Sequence, residues 1–174
     1  MLMIHSFETL EPFDESGDLN VIIDTPKGSR NKYSYNKKCG LFELAGVQPA
    51  GMFFPFDFGF VPQTKGEDGD ALDVLVLMDE PAFVGCLIQA RAIGVIEARQ
   101  TEKRRTIRND RVIAVPCNSR NQDDITKLSD LNTNLLREIE HFFISYNEMK
   151  GKKFRPIGHF GPDRALRLIK ESAQ

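Results

Sequence analysis

The pattern of apolar and polar positions divides the chain into a strand-rich first part and a helical end. Apolar runs rich in β-branched residues and bounded by turn residues predict buried strands at 19–24, 71–78, 86–96 and 111–115. Two further runs, 32–36 and 41–44, predict a hairpin that turns at residues 37–40. Gly94 lies inside the longest run, where a glycine indicates a bend or a bulge.

The end of the chain has the apolar spacing of helices. From Leu131 to Tyr146 apolar residues recur at helical intervals, with Asn132 as the expected N-cap and Gly151 just beyond the end. A second, shorter helix is predicted from Asp163 to Lys170, opened by a Gly-Pro pair. Strands first and helices last is an α+β pattern, and the short strands favour a small closed or half-closed barrel.

Three segments carry no regular pattern. Residues 1–17 predict an irregular arm, and the aromatic stretch 47–62 contains too many prolines and glycines for a helix. Residues 97–110 predict a charged loop. No linker or repeat interrupts the chain, so residues 1–174 are expected to form a single domain.

Composition excludes several function classes. The chain has 174 residues and a net charge of −2, which gives no reason to expect binding to nucleic acid or to an acidic membrane surface. No apolar run approaches membrane-spanning length, and the first residues do not form a signal peptide. The three cysteines lack disulfide or zinc spacing, which predicts reduced thiols in a cytoplasmic protein.

The candidate chemistry is concentrated at the start of the strand at 71–78. Asp68, Asp70 and Asp73 fall within six residues, and Gly69 permits a tight turn that could bring them together. Clustered carboxylates repel each other, and a divalent cation offsets that charge. Ligands that are all oxygen favour Mg²⁺ first, Mn²⁺ second and Zn²⁺ less. The alternative interpretation of this pattern is a polar turn between two strands, whereas an EF-hand fits its spacing poorly.

The run Asp68-Gly69-Asp70-Ala71-Leu72-Asp73-Val74 resembles the signature of the soluble family I inorganic pyrophosphatases, with Ala71 as its one departure. Further segments match landmarks of that family in order, and the similarity extends over about residues 20 to 170. These segments are Met52–Phe60, Ala114-Val115-Pro116, His141-Phe142-Phe143 and Tyr146.

The resemblance implies a small five-stranded OB-like β-barrel flanked by C-terminal helices. It also implies hydrolysis of inorganic pyrophosphate to two orthophosphates by a water that metal ions activate, with Mg²⁺ expected and Mn²⁺ as the second choice. Such a cation neutralises phosphate oxygens and lowers the pKa of bound water. A homo-oligomer is expected, a hexamer if the source is bacterial.

The resemblance also assigns roles residue by residue. The catalytic residues are Asp70, as the acceptor of the proton from water, and Asp24, as support for a metal-bound water. The remaining roles are metal ligands, at Asp68, Asp73, Asn109 and Asp110, and phosphate-binding residues, at Lys32, Arg111 and Tyr146.

The chain departs from the family pattern at several polar positions. Ser34 replaces a glutamate, Phe58 a tyrosine, Asn109 an aspartate and Asn147 the lysine after Tyr146, and no arginine stands near Ala45. Two alternatives therefore accompany the prediction of a working enzyme. One is a catalytically impaired homologue, and the other is an OB-like binding module for another phosphorylated ligand.

Overall fold

The computed structural model describes residues 7–174, so part of the arm predicted at 1–17 lies outside the described residues. Short 3₁₀ turns occupy Phe7–Thr9 and Leu128–Asp130. The strands are β1 (Leu19–Thr25), β2 (Asn31–Asn36), β3 (Leu41–Val47), β4 (Asp57–Phe60), β5 (Asp73–Val76), β6 (Leu87–Glu102), β7 (Arg105–Arg108), β8 (Arg111–Pro116) and β9 (Lys153–Phe160); the helices are α1 (Thr133–Glu148) and α2 (Pro162–Ser172).

Five strands close into a ring. Strand β1 pairs with β4 on one side and with β6 on the other, and the ring continues from β4 through β5 and β8 back to β6. Only β5 and β8 within this ring are parallel. Closure removes the exposed strand edges that an open sheet would leave. The prediction of an α+β, OB-like fold with five barrel strands and C-terminal helices is confirmed.

Strand β6 is long enough to pair with four other strands. Its first part pairs with β1 and β8, and its last part pairs with β7 and β9. The register against β8 shifts between Ala92 and Gly94, which confirms the bulge predicted at Gly94. A Cβ atom at this position would overlap the carbonyl oxygen of Phe160, so only glycine lets β9 approach so closely.

The prediction of a charged loop at 97–110 is wrong. Strand β6 continues to Glu102, a tight turn with Lys103 at φ +56° follows, and β7 pairs back antiparallel. The many charges are compatible with strand structure because most side chains of this hairpin face water, whereas Glu97 is buried against arginines. Charge density therefore indicated exposure and not the absence of a strand.

Strand β9 was not predicted either, because Pro156 and Gly158 interrupt its pattern. Proline is tolerated here because β9 pairs with only one neighbour and its register against β6 shifts next to Pro156. The aromatic stretch 47–62 contains no helix, as predicted, but its end forms β4.

The two helices cover opposite faces of the ring. Val74 and Val76 of β5 pack in the same cluster as Ile169 of α2, whereas Leu75 packs in the cluster that contains Phe143 of α1. Both faces of β5 are therefore buried, which explains its continuous apolar pattern. Asn132 caps α1 by accepting a hydrogen bond from the backbone N–H of Asn134, as predicted. Among residues 7–174, neither helix has the length and apolar character that crossing a bilayer requires.

Candidate active site

The aspartate cluster lies at the end of the turn that connects β4 to β5. The turn is closed by a hydrogen bond from the Gly66 N–H to the Asp70 carbonyl, and Gly69 adopts φ +91°. The Asp68 carboxylate accepts the backbone N–H of Asp70 at 3.1 Å. Asp68 and Asp70 are exposed, and Asp73, the first residue of β5, is half-buried. Two of the three carboxylates are therefore open to solvent, and the third lies half-buried where β5 begins.

The electrostatics of this turn indicate uncompensated negative charge. Partial burial raises the pKa of Asp68, and the neighbouring Asp73 carboxylate raises it further. The hydrogen bond from the Asp70 N–H and the charge of Arg111 oppose that rise in pKa without reversing it. An additional cation beside Asp68 would relieve the repulsion.

Arg111 faces Asp73 because β5 and β8 are parallel neighbours. The guanidinium lies 2.5 Å from the Asp73 carboxylate and over the rings of Phe143 and Phe154, at 5.2 and 5.4 Å from their centroids. It also donates a hydrogen bond to Asn109. Its Nε atom is buried without a hydrogen-bond partner among the described residues. Arg111 is therefore a rigidly held cation beside the aspartate turn.

A second ion pair lies on β1 and β2. The Lys32 ammonium lies 2.6 Å from the Asp24 carboxylate and 4.7 Å from the ring centroid of Phe58. Asp24 is buried, and that burial raises its pKa to about 6, although the Lys32 charge opposes the shift. The charge of Asp73 adds to the rise, which shows that this pair lies within electrostatic reach of the aspartate turn.

Tyr146 enters the same region from the last turn of α1. Its buried ring packs against Phe54 and Phe142, and its hydroxyl accepts a hydrogen bond from the Lys150 ammonium. Burial raises the pKa of Tyr146, and the Asp73 charge raises it further, so the phenol stays protonated at neutral pH. Sequence reasoning missed Lys150. The spacing of four residues from Tyr146, one helical turn, was the available signal.

Asp110 is held by partners of its own. One carboxylate oxygen accepts the backbone N–H of Ala98 at 2.9 Å, and Arg108 donates to both oxygens, at 3.1 and 2.8 Å. Arg108 also lies 2.8 Å from Glu97, which in turn binds Arg164 of α2 at 2.6 Å. The two negative charges and the two positive charges thus neutralise each other between the barrel and α2.

Asn109 is likewise engaged. Its side-chain oxygen accepts from Arg111, and its side-chain nitrogen donates to Gln100 at 2.9 Å. A cation ligated by Asn109 or Asp110 would therefore have to displace an arginine or share an oxygen with one.

The predicted residues fall into three groups. Asp68, Asp73, Asn109 and Asp110 line one cavity of about 80 Å³. Arg111 pairs directly with Asp73, and the charge of Asp73 raises the pKa of Asp24, the partner of Lys32, and of Tyr146. Asp70 is the exposed closing residue of the turn and does not line the cavity. Within residues 7–174, no three acidic, histidine or cysteine side chains are already gathered at ligating distance.

Comparison with known proteins decides the class of this site. Residues 21–174 match the sequence profile of the inorganic pyrophosphatases. The chain belongs to the inorganic pyrophosphatase family. It is 36% identical over 157 residues to the inorganic pyrophosphatase of Synechocystis sp., covering 90% of each protein. It is 34% identical to that of Geobacillus stearothermophilus, covering 90% of this chain and 93% of the relative.

Solved structures of the family have the same fold. The inorganic pyrophosphatase from Thermus thermophilus superposes with a TM-score of 0.88 at 30% identity, covering 97% of each chain. The enzyme from Neisseria gonorrhoeae gives 0.85 at 34% identity, covering 97% of this chain and 96% of that one. Membership in the family confirms the resemblance found in the signature.

The residues of the aspartate turn fit a hard divalent cation. Its donors are carboxylate oxygens, and several of them have no side-chain partner among the described residues. Partial burial is the main cause of the raised pKa of Asp68, and the Asp73 charge adds to it; a bound cation would lower that pKa.

Proposed function

We propose that this protein hydrolyses inorganic pyrophosphate to two orthophosphates with a metal-activated water. Family membership supports the reaction, and the observation that carries the residue assignment is the juxtaposition at Asp73. On one side lies a turn of carboxylates, and on the other lies the buried cation of Arg111. A dense polyanion that is bound together with a metal needs both kinds of group.

In this proposal Asp68 and Asp73 hold the metal, Mg²⁺ first and Mn²⁺ second, through the donors that hard cations prefer. The ion supplies charge neutralisation and a more acidic water when bound. Asp70, the exposed closing residue of the turn, accepts the proton of the attacking water. Asp24 supports that water from within the protein, where its raised pKa lets it share a proton near pH 6.

The phosphate groups are assigned to the cationic side. Lys32 and Arg111 carry charge that a phosphate oxygen can bind, and each is already positioned by a carboxylate and by aromatic rings. Tyr146 contributes a protonated hydroxyl. Metal binding by Asn109 and Asp110 stays an untested prediction. Because both side chains already have protein partners, we expect them to contribute less to metal affinity than Asp68.

The proposal extends to a homo-oligomer in the cytoplasm. Three apolar side chains on the β2–β3 hairpin, Leu41, Leu44 and Val47, are exposed in the isolated chain, and contacts between subunits would bury such side chains. Sedimentation or light scattering of the purified protein tests this, with a hexamer expected if the source is bacterial and a monomer contradicting it.

The experiment that tests the function measures orthophosphate release from inorganic pyrophosphate by the folded protein with Mg²⁺, with Mn²⁺ and with EDTA. Release with either metal and none with EDTA is expected. ATP and a simple phosphate ester, assayed in parallel, show whether pyrophosphate is the preferred substrate. Absence of release with every metal would overturn the proposal and leave binding of another phosphorylated ligand, the alternative that family membership does not favour.

A further inference from the structure

Position 147 cannot present a polar group to the site. Asn147 is 2% exposed, and its side-chain nitrogen donates to the Phe143 carbonyl at 2.8 Å. The backbone carbonyl of Asn147 accepts hydrogen bonds from the backbone N–H groups of Lys150 and Lys152. The Asn147 side chain is therefore engaged within α1, and this position offers no cation to a ligand.

Lys150 lies one helical turn beyond Tyr146 and on the same side. Its ammonium donates to the Tyr146 hydroxyl and lies 4.1 Å from the centroid of that ring. The chain then reverses at Gly151, where φ is +70°, and β9 begins at Lys153. Lys150 is an exposed residue, but contact with this buried ring holds its ammonium at the Tyr146 hydroxyl.

Lys150 differs from its cationic neighbours in having no carboxylate. Lys32 pairs with Asp24, Arg111 with Asp73, and Lys152 with Glu102. No described carboxylate lies within ion-pair distance of the Lys150 ammonium. Burial lowers the pKa of Lys150, and the nearby charges of Lys32, Lys152 and Arg111 lower it further. An anion that binds here would neutralise a cation that the protein itself leaves unpaired.

We propose that Lys150 binds a phosphate oxygen of the substrate together with Tyr146, and so supplies the positive charge that Asn147 cannot. This inference rests on the proposed function, because it names one contact of the same substrate. The Tyr146 hydroxyl then lies between Lys150 and the phosphate and hydrogen-bonds to both. It accepts from Lys150 and can donate its own proton to the same phosphate group.

The test compares Lys150→Met with Lys153→Met. Methionine keeps the length and apolar stem of the side chain and removes only the charge. Lys153 is an exposed lysine at the start of β9 with no ion pair among the described residues, which makes it a matched control. We expect Lys150→Met to raise KM for pyrophosphate about tenfold, because one charge-assisted hydrogen bond to the substrate is lost. Lys153→Met should stay within about twofold of wild type, since its charge is screened.

A structural role for Lys150 would give a different result. Lys150→Arg keeps the charge and should retain most of the affinity for pyrophosphate. If Lys150 only packed against Tyr146, Lys150→Met and Lys150→Arg should both have a lower melting temperature. Equal KM values for the Lys150→Met and Lys153→Met proteins, with both folded, would overturn the inference.

Calorimetric binding of pyrophosphate separates this inference from the proposed function. If the wild-type protein binds pyrophosphate but releases no orthophosphate, the function fails while the ratio of affinities between wild type and Lys150→Met still tests Lys150. Weaker binding by Lys150→Met then supports the contact, and equal binding contradicts it. Failure of the wild type to bind pyrophosphate at all would overturn both.

Discussion

Two acidic segments border the same cavity and differ in how their oxygens are used. The aspartate turn, residues 66–73, exposes Asp68 and Asp70 and leaves carboxylate oxygens without protein partners. The β7–β8 corner, residues 108–111, buries Asp110 and satisfies it with a backbone N–H and a guanidinium. Both segments place carboxylates at the cavity wall. Only the first has oxygens available to a ligand without breaking an existing interaction.

The difference shows that an acidic residue at a cavity is not by itself a metal ligand. A carboxylate that already binds arginine contributes to the fold, and replacing that arginine by a metal ion exchanges one cation for another. A carboxylate left in mutual repulsion has free energy to gain from a cation. We therefore expect substitutions in the turn to affect activity more than stability, and substitutions in the corner to do the reverse.

The largest effect is expected for Asp70→Asn. Loss of the proton acceptor should lower kcat at least about 100-fold, because general-base groups contribute on that order. The melting temperature should change little, since the side chain is exposed and makes no side-chain contact among the described residues. Orthophosphate release and a thermal melt measured on the same preparation check both statements. A protein that keeps its activity would remove Asp70 from the mechanism.

The next largest effect is expected for Asp110→Asn, which should lower the free energy of unfolding by about 2 kcal/mol. The amide oxygen can still accept the Ala98 N–H, but it cannot balance Arg108. Denaturant unfolding measures the change, and Glu102→Gln is the control. The latter breaks an exposed ion pair with Lys152, whose loss is expected to cost less than about 0.5 kcal/mol. Equal losses in the two variants would contradict a structural role for Asp110.

Asp24 combines features of both segments, because it is buried and paired but has a raised pKa. The folded protein keeps its proton up to about pH 6, whereas the unfolded chain loses it near pH 3.8. Between these values the folded state binds more protons, so the free energy of unfolding falls as pH rises and is lowest, on this account, above pH 6.

The Asp24→Asn variant lacks this titration. Between pH 4 and pH 7 the wild-type protein should therefore lose about 1–2 kcal/mol of unfolding free energy relative to Asp24→Asn. The charge interaction with Lys32 is already contained in the folded-state pKa of Asp24, so its loss in the variant adds no second pH dependence. A difference that is constant with pH would show that Asp24 ionises normally.

The smallest effect is expected for Glu67→Gln. Glu67 accepts the backbone N–H of Arg108 at 2.8 Å and so connects the turn to the corner. The amide oxygen of glutamine can accept the same hydrogen bond, and the contact is exposed, so the loss should be about 0.5 kcal/mol or less. A shift of several degrees in melting temperature would mean that the two segments depend on each other more than their contacts indicate.

Local patterns predicted much of this molecule. The β-branched runs of β1, β5 and β8 and the apolar spacing of α1 correctly predicted buried elements, and the signature led to the aspartate turn. The missed elements depend on partners far along the chain. Strand β9 tolerates Pro156 only because its pairing with β6 shifts there, and Glu97 is buried only because arginines at 108 and 164 reach it.

In the site, too, some features follow from local sequence and others depend on residues far along the chain. Arg111 meets Asp73 because two strands distant in sequence are parallel neighbours, and the family resemblance had already placed both residues in the site. The spacing of four residues from Tyr146 was a signal for Lys150, but the sequence did not show that the Asn147 side chain turns inward and that Lys150 contacts the Tyr146 hydroxyl.

The most direct test of the account measures orthophosphate release from pyrophosphate as a function of Mg²⁺ concentration for wild type, Asp68→Asn and Asp110→Asn. The account predicts that Asp68→Asn raises the half-saturating Mg²⁺ concentration about tenfold or more, because a ligand from the open turn is lost. Asp110→Asn should stay within about threefold of wild type, at a temperature where it is fully folded. A larger shift for Asp110→Asn than for Asp68→Asn would contradict the account and place the metal at the β7–β8 corner.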